Sequence, residues 1–315
     1  MKITVLDALT LGDDLSLQPL QELGECTIYP STAPDEVENR LADTEVAVLN
    51  KVKLHEANLK HAANLKLICV AATGYDNIDI SYCRAHGIAV CNVEGYSSHS
   101  VAQLTVAAVL SLSTHLNEYR QFVTSGDYTK GGVANRLTPV YHELYGKTWG
   151  VVGFGGIGKE VGKIAEAFGC NLLVCKRTPV EGYRCVDIDT LCAQSDIITL
   201  HTPLNDSTRN LIDAWRLSLM KRDAILFNAA RGAVTDEHAV SEAVQNGTIG
   251  GFGSDVYTVE PFDATHPFDA IKHLPNVLLT PHMAWGAYEA RVRCLGEIVL
   301  NIKDFYAGGR KGRVD

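Results

Sequence analysis

This chain of 315 residues lacks the features that mark several other classes of protein. No apolar run is long enough to cross a lipid bilayer, which argues against a membrane protein. Basic residues are in the minority, with 28 Lys and Arg against 37 Asp and Glu, and the net charge of −9 disfavours a nucleic-acid or anionic-membrane partner. Asp7 interrupts the start of the chain too early for the apolar stretch of a secretory signal peptide.

Cysteine and histidine are present but lack the spacing of metal sites. The nine cysteines include no C-x-x-C pair, their number is odd, and most of them lie in apolar runs. We therefore expect reduced thiols in the core and a cytoplasmic location. Most of the eleven histidines show no spacing of a ligand set, so no metal site is predicted.

Hydrophobic patterning predicts an α/β protein whose sheets are mostly parallel. The length suggests about two domains, and strand-like runs alternate with helical stretches in both halves. The strands predicted for the first half are Ile3–Asp7, Cys26–Tyr29, Val46–Asn50, Leu67–Ala71 and Ile88–Asn92. Those predicted for the second half are Thr148–Val152, Asn171–Lys176, Ile197–His201, Ala224–Asn228, Gly250–Asp255 and Val277–Thr280.

Two long apolar segments indicate where the domains join. Residues 97–118 are apolar on nearly every side, which predicts a buried helix. A last helix over 287–306 carries one apolar face, and we expect it to return to the first domain. The predicted domains are therefore 1–97 with 287–315, and 98–286. The basic segment 310–313 is expected to be a solvated tail.

A glycine-rich turn connects the strand Thr148–Val152 to an amphipathic helix. It contains Gly153, Gly155, Gly156, Ile157 and Gly158, and its G-x-G-x-x-G pattern is specific when it closes a strand and opens a helix. The first glycine permits the tight turn, the second lets a pyrophosphate approach the backbone, and the third allows close packing of helix and strand. The helix N-terminus favours phosphate. This pattern predicts a dinucleotide site.

The acidic residue that usually ends the second strand of such a fold is absent. Lys176, Arg177 and Thr178 stand there instead. An acid would bind the ribose hydroxyls, whereas two cations suit a 2′-phosphate. We therefore expect NADP(H) to be preferred and NAD(H) to be possible, since both cations could instead be solvated. His201, Thr202 and Pro203 follow another strand at its carboxyl end and are predicted to form part of the cofactor wall.

Three ionisable residues at strand ends or loops suit hydride chemistry on a 2-oxo acid: Arg231, Glu260 and His282. A protonated histidine can give its proton to the forming alkoxide, and a neighbouring carboxylate stabilises that protonated form. An arginine can hold the substrate carboxylate and polarise the carbonyl. Any one of the three alone could equally belong to a structural ion pair.

With these motifs in view, the chain resembles the D-isomer-specific 2-hydroxyacid dehydrogenases over nearly its whole length. The matching blocks are Gly153–Gly158, His201–Pro203, Asn228–Gly232, Asp255–Pro261, Thr280–His282 and a segment like the family's substrate loop, Ala72–Asp79. The resemblance implies two Rossmann-like domains with doubly wound parallel sheets. The substrate domain would be flavodoxin-like and split by the inserted dinucleotide-binding domain.

The resemblance also implies roles for individual residues. Backbone N–H groups of Gly74 and Tyr75 would bind the substrate carboxylate. Arg231 would anchor the substrate, Glu260 would pair with the histidine, and His282 would be the acid and base. For the cofactor, Gly156 and Ile157 would cover the pyrophosphate, Ala229 and Ala230 would line the nicotinamide pocket, and Asp255 would face the carboxamide. Trp285 could wall the substrate pocket or simply pack.

Within the family, the segment Asn92–Gln103 is similar to glycerate dehydrogenases, which reduce hydroxypyruvate. The expected function is therefore NAD(P)H-dependent reduction of a small 2-oxo acid, hydroxypyruvate or glyoxylate, to the D-2-hydroxy acid. The alternative is a binding protein that senses nicotinamide dinucleotides with little or no turnover, as the family's co-repressor relatives do. The family also suggests a homodimer joined through the cofactor domains.

Overall fold

The computed structural model describes residues 1–315, and the chain divides into two compact units. The first consists of Met1–Ser97 and Trp285–Asp315, and the second of Ser98–Ala284. The first unit thus resumes at Trp285, two residues before the predicted boundary. None of the helices combines the length and the apolar character that spanning a membrane requires.

The first unit is built on one parallel sheet of five strands. Its strands are β1 (Lys2–Val5), β2 (Glu25–Ile28), β3 (Val46–Leu49), β4 (Leu67–Val70) and β5 (Ala89–Cys91). They lie in the order β2-β1-β3-β4-β5, which is that of flavodoxin-like folds. Every residue of β3 and β4 is buried, as expected for a parallel sheet that is covered on both faces.

Five α-helices cover this sheet, and the longest comes from the end of the chain. They are α1 (Gln18–Gln21), α2 (Val37–Leu41), α3 (Glu56–Leu59), α4 (Ile80–Ala85) and α12 (Tyr288–Tyr306). A 3₁₀-helix spans Ala8–Leu11. Helix α12 buries Leu295, Ile298 and Ile302 in the same core as Ile3 and Val5. The apolar face of the last helix therefore belongs to the first unit.

Arg310, Lys311 and Gly312 of the C-terminal tail are exposed, as expected, but the backbone of the tail is also paired with the first unit. The N–H of Asn92 donates to the carbonyl of Gly312 at 3.0 Å, and the N–H of Val314 donates to that of Val90 at 2.9 Å. Arg313 forms an ion pair with Asp315. The tail pairs with the otherwise open edge of β5, and the pairing satisfies backbone groups that a free edge would expose.

The second unit is built on a parallel sheet of seven strands. They are β6 (Thr148–Val152), β7 (Asn171–Cys175), β8 (Arg184–Cys185), β9 (Ile197–Leu200), β10 (Ile225–Asn228), β11 (Gly251–Ser254) and β12 (Val277–Leu279). Their order is β12-β11-β10-β9-β6-β7-β8, the Rossmann arrangement with one more strand. The fold class predicted from the sequence is confirmed, although the two-residue β8 was not predicted.

Seven α-helices belong to this unit, and the predicted buried helix is two helices rather than one. They are α5 (Ser98–Ser113), α6 (Leu116–Thr124), α7 (Asp127–Gly131), α8 (Gly156–Ala167), α9 (Ile188–Gln194), α10 (Ala214–Leu219) and α11 (Glu237–Gln245). Two 3₁₀-helices span Gly232–Val234 and Pro267–Ala270. His115, with a φ of 51°, interrupts the helical path between α5 and α6.

Candidate active site

The glycine turn lies where the order of the second sheet reverses, between β6 and β9. Gly153 has a φ of 86°, and a Cβ there would lie 2.6 Å from the carbonyl carbon of His201. A Cβ on Gly158 would lie 2.1 Å from the carbonyl oxygen of Gly153, so helix α8 can approach the turn only without a side chain. A Cβ on Gly155 would meet no atom within 4 Å. The turn therefore has the geometry of a pyrophosphate-binding loop.

His201 presents a buried ring with no hydrogen-bond partner at either nitrogen. Burial lowers the pKa of this imidazole to about 3, so the ring is neutral and offers one donor and one acceptor. Buried polar atoms are normally paired. Two unpaired nitrogens at the carboxyl edge of the sheet fit a ligand rich in hydroxyl groups, such as a dinucleotide. Thr202 and Pro203 follow on the same loop, and Pro203 is exposed.

The residues after β7 place positive charge beside the glycine turn. Lys176 is exposed, and its Nζ lies 3.5 Å from the carbonyl oxygen of Phe154 within the turn. Arg177 and Thr178 are exposed. This loop is where an acidic residue would bind a ribose, so the charge at this position is reversed relative to the usual pattern.

His282 and Glu260 form an ionisable pair at this edge of the sheet. The Nδ1 atom of His282 lies 2.6 Å from Oε2 of Glu260, and the two side chains are 24% and 29% exposed. His282 has a φ of 51°, a left-handed backbone conformation that is uncommon outside glycine. The pair is solvent-accessible and hydrogen-bonded, which is the arrangement that an acid and its stabilising carboxylate require.

Asp255 holds the turn that carries His282. Its carboxylate is 1% exposed and accepts hydrogen bonds from Thr280 Oγ1 at 2.6 Å, Met283 N at 2.9 Å and Ala284 N at 2.9 Å. Burial raises the pKa of Asp255, although these hydrogen bonds oppose the shift. Sequence reasoning missed these contacts, and its predicted contact between Asp255 and the nicotinamide carboxamide stays a prediction.

Tyr257 links the two halves of the pair. Its N–H donates to Oε1 of Glu260 at 2.9 Å, and its phenolic O–H donates to the carbonyls of Thr280 at 2.8 Å and Ser254 at 3.3 Å. Burial raises the pKa of this phenol, so the group stays protonated and keeps its donor. One residue thus connects the loop of Glu260 to the strand end that precedes His282.

Arg231 follows β10 on a turn that is braced by Asn228. The buried Asn228 accepts from Ala230 N at 3.0 Å and donates to the carbonyl of Arg231 at 2.9 Å. The guanidinium Nη1 donates to the Ala230 carbonyl at 2.8 Å. A Cβ on Gly232 would lie 2.1 Å from the carbonyl carbon of Tyr257. The Arg231 turn therefore packs directly against the loop that carries Glu260.

The comparisons with known proteins agree with this geometry. The model of the D-isomer specific 2-hydroxyacid dehydrogenase family, NAD binding domain, matches residues 106–284. The chain belongs to this family. Glycerate dehydrogenase of Methylorubrum extorquens is 38% identical over 309 residues, 98% of this chain and 96% of that protein. Hydroxypyruvate reductase of Blautia hydrogenotrophica is 32% identical over 317 residues, covering 98% of each.

A solved structure gives the same result. The structure is that of the NADPH-dependent glyoxylate/hydroxypyruvate reductase of Sinorhizobium meliloti in complex with NADP and malonate. The two sequences are 27% identical, and the match covers 99% of this chain and 96% of that one. The TM-score is 0.85. This member of the 2-hydroxyacid dehydrogenase family is therefore an NAD(P)-dependent enzyme, and its second unit contains the family's NAD-binding domain.

Three of the predicted substrate residues of this dehydrogenase lie in the first unit. Gly74 and Tyr75 follow β4, in a loop that is anchored where Asn92 Nδ2 donates to the carbonyl of Thr73 at 2.7 Å. Trp285 packs edge-on to Tyr96, with ring centroids 6.4 Å apart, and against the core of that unit. No group of three or more His, Cys, Asp or Glu side chains is arranged to hold a metal ion.

Proposed function

We propose that this enzyme reduces a small 2-oxo acid, hydroxypyruvate or glyoxylate, to the D-2-hydroxy acid, with His282 as the proton donor. The observation that carries the proposal is the 2.6 Å contact between His282 Nδ1 and Glu260 Oε2. It is supported by the relatives named as glycerate dehydrogenase and hydroxypyruvate reductase, which match over 98% of the chain.

The contact between His282 and Glu260 determines which nitrogen of the imidazole donates the proton to the substrate. Because Nδ1 of His282 is bound to Glu260, the proton is delivered from Nε2. The carboxylate stabilises the imidazolium until transfer, and the forming alkoxide oxygen receives the proton. When bound, a reduced nicotinamide cofactor would supply the hydride. Arg231 holds the substrate carboxylate and polarises the carbonyl. For Gly74, Tyr75 and Trp285, the proposed roles are those that the family resemblance implies.

Replacing Glu260 with glutamine is expected to lower kcat for reduction about a hundredfold, at the lower end of the range of general acid catalysis. Glutamine can still hydrogen-bond to Nδ1 of His282, 2.6 Å from the carboxylate oxygen, but it lacks the negative charge that stabilises an imidazolium. The measurement is steady-state kcat for reduction. Glu118→Gln is the control, because Glu118 faces His115 at 3.0 Å elsewhere in the unit. A wild-type kcat in the Glu260 variant would show that this carboxylate does not support the acid.

For the cofactor, we propose that NADPH is preferred and that Lys176, Arg177 and Thr178 bind its 2′-phosphate. Support comes from the position of Lys176 beside the glycine turn and from the exposed guanidinium next to it. A charge-assisted hydrogen bond to phosphate contributes about 1.5–3 kcal/mol, which corresponds to roughly tenfold or more in kcat/KM. Arg177→Ala should therefore lower kcat/KM for NADPH about tenfold and leave that for NADH nearly unchanged.

One experiment tests substrate and cofactor together. Loss of nicotinamide absorbance is followed with hydroxypyruvate, glyoxylate and pyruvate, each with NADPH and with NADH. The highest kcat/KM is expected for NADPH with hydroxypyruvate or glyoxylate. A clear preference for NADH would reject the cofactor proposal. Tight cofactor binding without turnover of any 2-oxo acid would reject reduction and favour the sensing alternative.

We also propose a homodimer that forms through the second unit. Large apolar side chains are exposed along residues 116–145, and Leu137 and Tyr145 are 75% and 78% exposed. The others are Leu116, Val123, Tyr128, Val133, Val140 and Tyr141. Such a concentration of exposed apolar side chains is typical of a protein–protein interface. Sedimentation velocity tests the proposal, and a monomer at micromolar concentration would contradict it.

A further inference from the structure

Glu237 and His266 form a second carboxylate–imidazole pair, next to the loop that carries Glu260. Oε2 of Glu237 is 3.0 Å from Nε2 of His266, and the two side chains are 6% and 5% exposed. The Nδ1 atom of His266 accepts the N–H of Phe268 at 3.2 Å. Because Nδ1 is an acceptor, the ring carries its hydrogen on Nε2, which lies within ion-pair distance of Glu237 but makes no hydrogen bond. This pair is buried, whereas the pair of Glu260 and His282 is solvent-accessible.

Glu237 also binds the loop that carries Glu260. Its Oε1 accepts the N–H of Thr258 at 2.9 Å, and its Oε2 accepts the hydroxyl of Thr258 in a short hydrogen bond. The preceding amide, that of Tyr257, donates to Glu260 Oε1 at 2.9 Å. Two successive N–H groups of one turn therefore bind two different carboxylates, one buried and one in the active site.

The peptide bond between Tyr257 and Thr258 is also confined on the side that faces Gly232. A Cβ on Gly232 would lie 2.1 Å from the carbonyl carbon of Tyr257 and 2.2 Å from the nitrogen of Thr258. The peptide cannot shift toward Gly232, and it cannot turn its N–H away from Glu237 without losing its hydrogen bond to that buried carboxylate. Leaving a buried carboxylate without its donors is costly. The peptide between Tyr257 and Thr258 is thus held by groups other than His282, and it directly follows the Tyr257 N–H that binds Glu260.

We propose that Glu237 is a positioning residue for reduction: through Thr258 it holds the turn whose amide aims Glu260 at His282. This inference rests on the proposed roles of Glu260 and His282. A glutamine at 237 would offer one oxygen in place of two, so it could not accept the N–H and the hydroxyl of Thr258 on separate oxygens as the carboxylate does. The turn would then move, and Glu260 would move with it.

Glu237→Gln is expected to lower kcat for reduction about tenfold, because small misplacements of catalytic groups are expensive, with the dissociation constant of NADPH unchanged and KM little affected. Rates are expressed per active site, counted by NADPH titration. Glu242→Gln is the matched control, since Glu242 is exposed on the same helix α11, and it should match the wild type.

Thr258 provides a second test that leaves the buried pair intact. Thr258→Val removes the hydroxyl donor to Glu237 and should lower kcat several-fold, whereas Thr258→Ser keeps the donor and should restore the wild-type value. If His282→Asn is inactive but Glu237→Gln and Thr258→Val turn over at the wild-type rate, the positioning role is overturned and the proposed function stands. If His282→Asn remains fully active, the proposed function fails and this inference fails with it.

Discussion

Replacing His282 with asparagine is expected to lower kcat by about three orders of magnitude, within the range of general acid catalysis, while cofactor binding changes little. Asparagine cannot donate a proton to an alkoxide at neutral pH. Its amide can still donate to Glu260, and asparagine tolerates the left-handed backbone, with a φ of 51°, better than most residues. The variant should therefore keep the local fold and lose only the group that transfers a proton to the substrate. Steady-state kcat and fluorescence titration of the cofactor measure the two quantities.

The chain contains a closely matched control for this substitution. His115 also has a φ of 51°, and its Nδ1 lies 3.0 Å from Oε1 of Glu118, with both side chains 28% exposed. His115→Asn removes a histidine of the same backbone conformation and the same type of ion pair, far along the sequence from the proposed acid. Its kcat should equal that of the wild type. Retention of more than about a tenth of kcat in His282→Asn would show that another group supplies the proton.

The residues at the carboxyl edge of the second sheet could be placed from the sequence because the strands are parallel. A run of buried apolar residues that ends in a polar residue predicts a strand end, and all parallel strands end at the same edge. Gly153, His201, Arg231 and His282 each follow such a run, and the structure places all four at that edge. Local pattern and topology together are sufficient for this part of the site.

The contacts that fix the side chains could not be predicted in this way. The carboxylate of Asp255, just after β11, accepts the N–H of Ala284 in the loop after β12, a contact between distant positions that has no local period in the sequence. Glu237 and His266 come together from a helix start and a loop, although each looks like an ordinary polar residue in its own segment. The break at His115 depends on one backbone angle within the segment that the sequence predicts as a single helix. Long-range hydrogen bonds and single dihedral angles decide these features, and neither has a sequence pattern.

Replacing Arg231 with alanine is expected to raise KM and lower kcat together, so that kcat/KM falls about a thousandfold. A guanidinium that binds a carboxylate makes two charge-assisted hydrogen bonds of about 1.5–3 kcal/mol each. It would contact the substrate before the reaction and the polarised carbonyl during it, so ground state and transition state are both weakened. The backbone at Arg231 is extended, with φ and ψ of −146° and 145°, which alanine adopts readily.

Two further variants separate the charge and the geometry of Arg231 from general effects on the strand. Arg231→Lys keeps the charge but not the planar pair of donors, and should recover only part of the activity. Arg222→Ala removes an exposed arginine just before the amino end of the same strand, β10, and should leave both constants unchanged. A loss confined to kcat in Arg231→Ala, with KM unaltered, would mean that this side chain acts only in the transition state and that the substrate carboxylate is bound elsewhere.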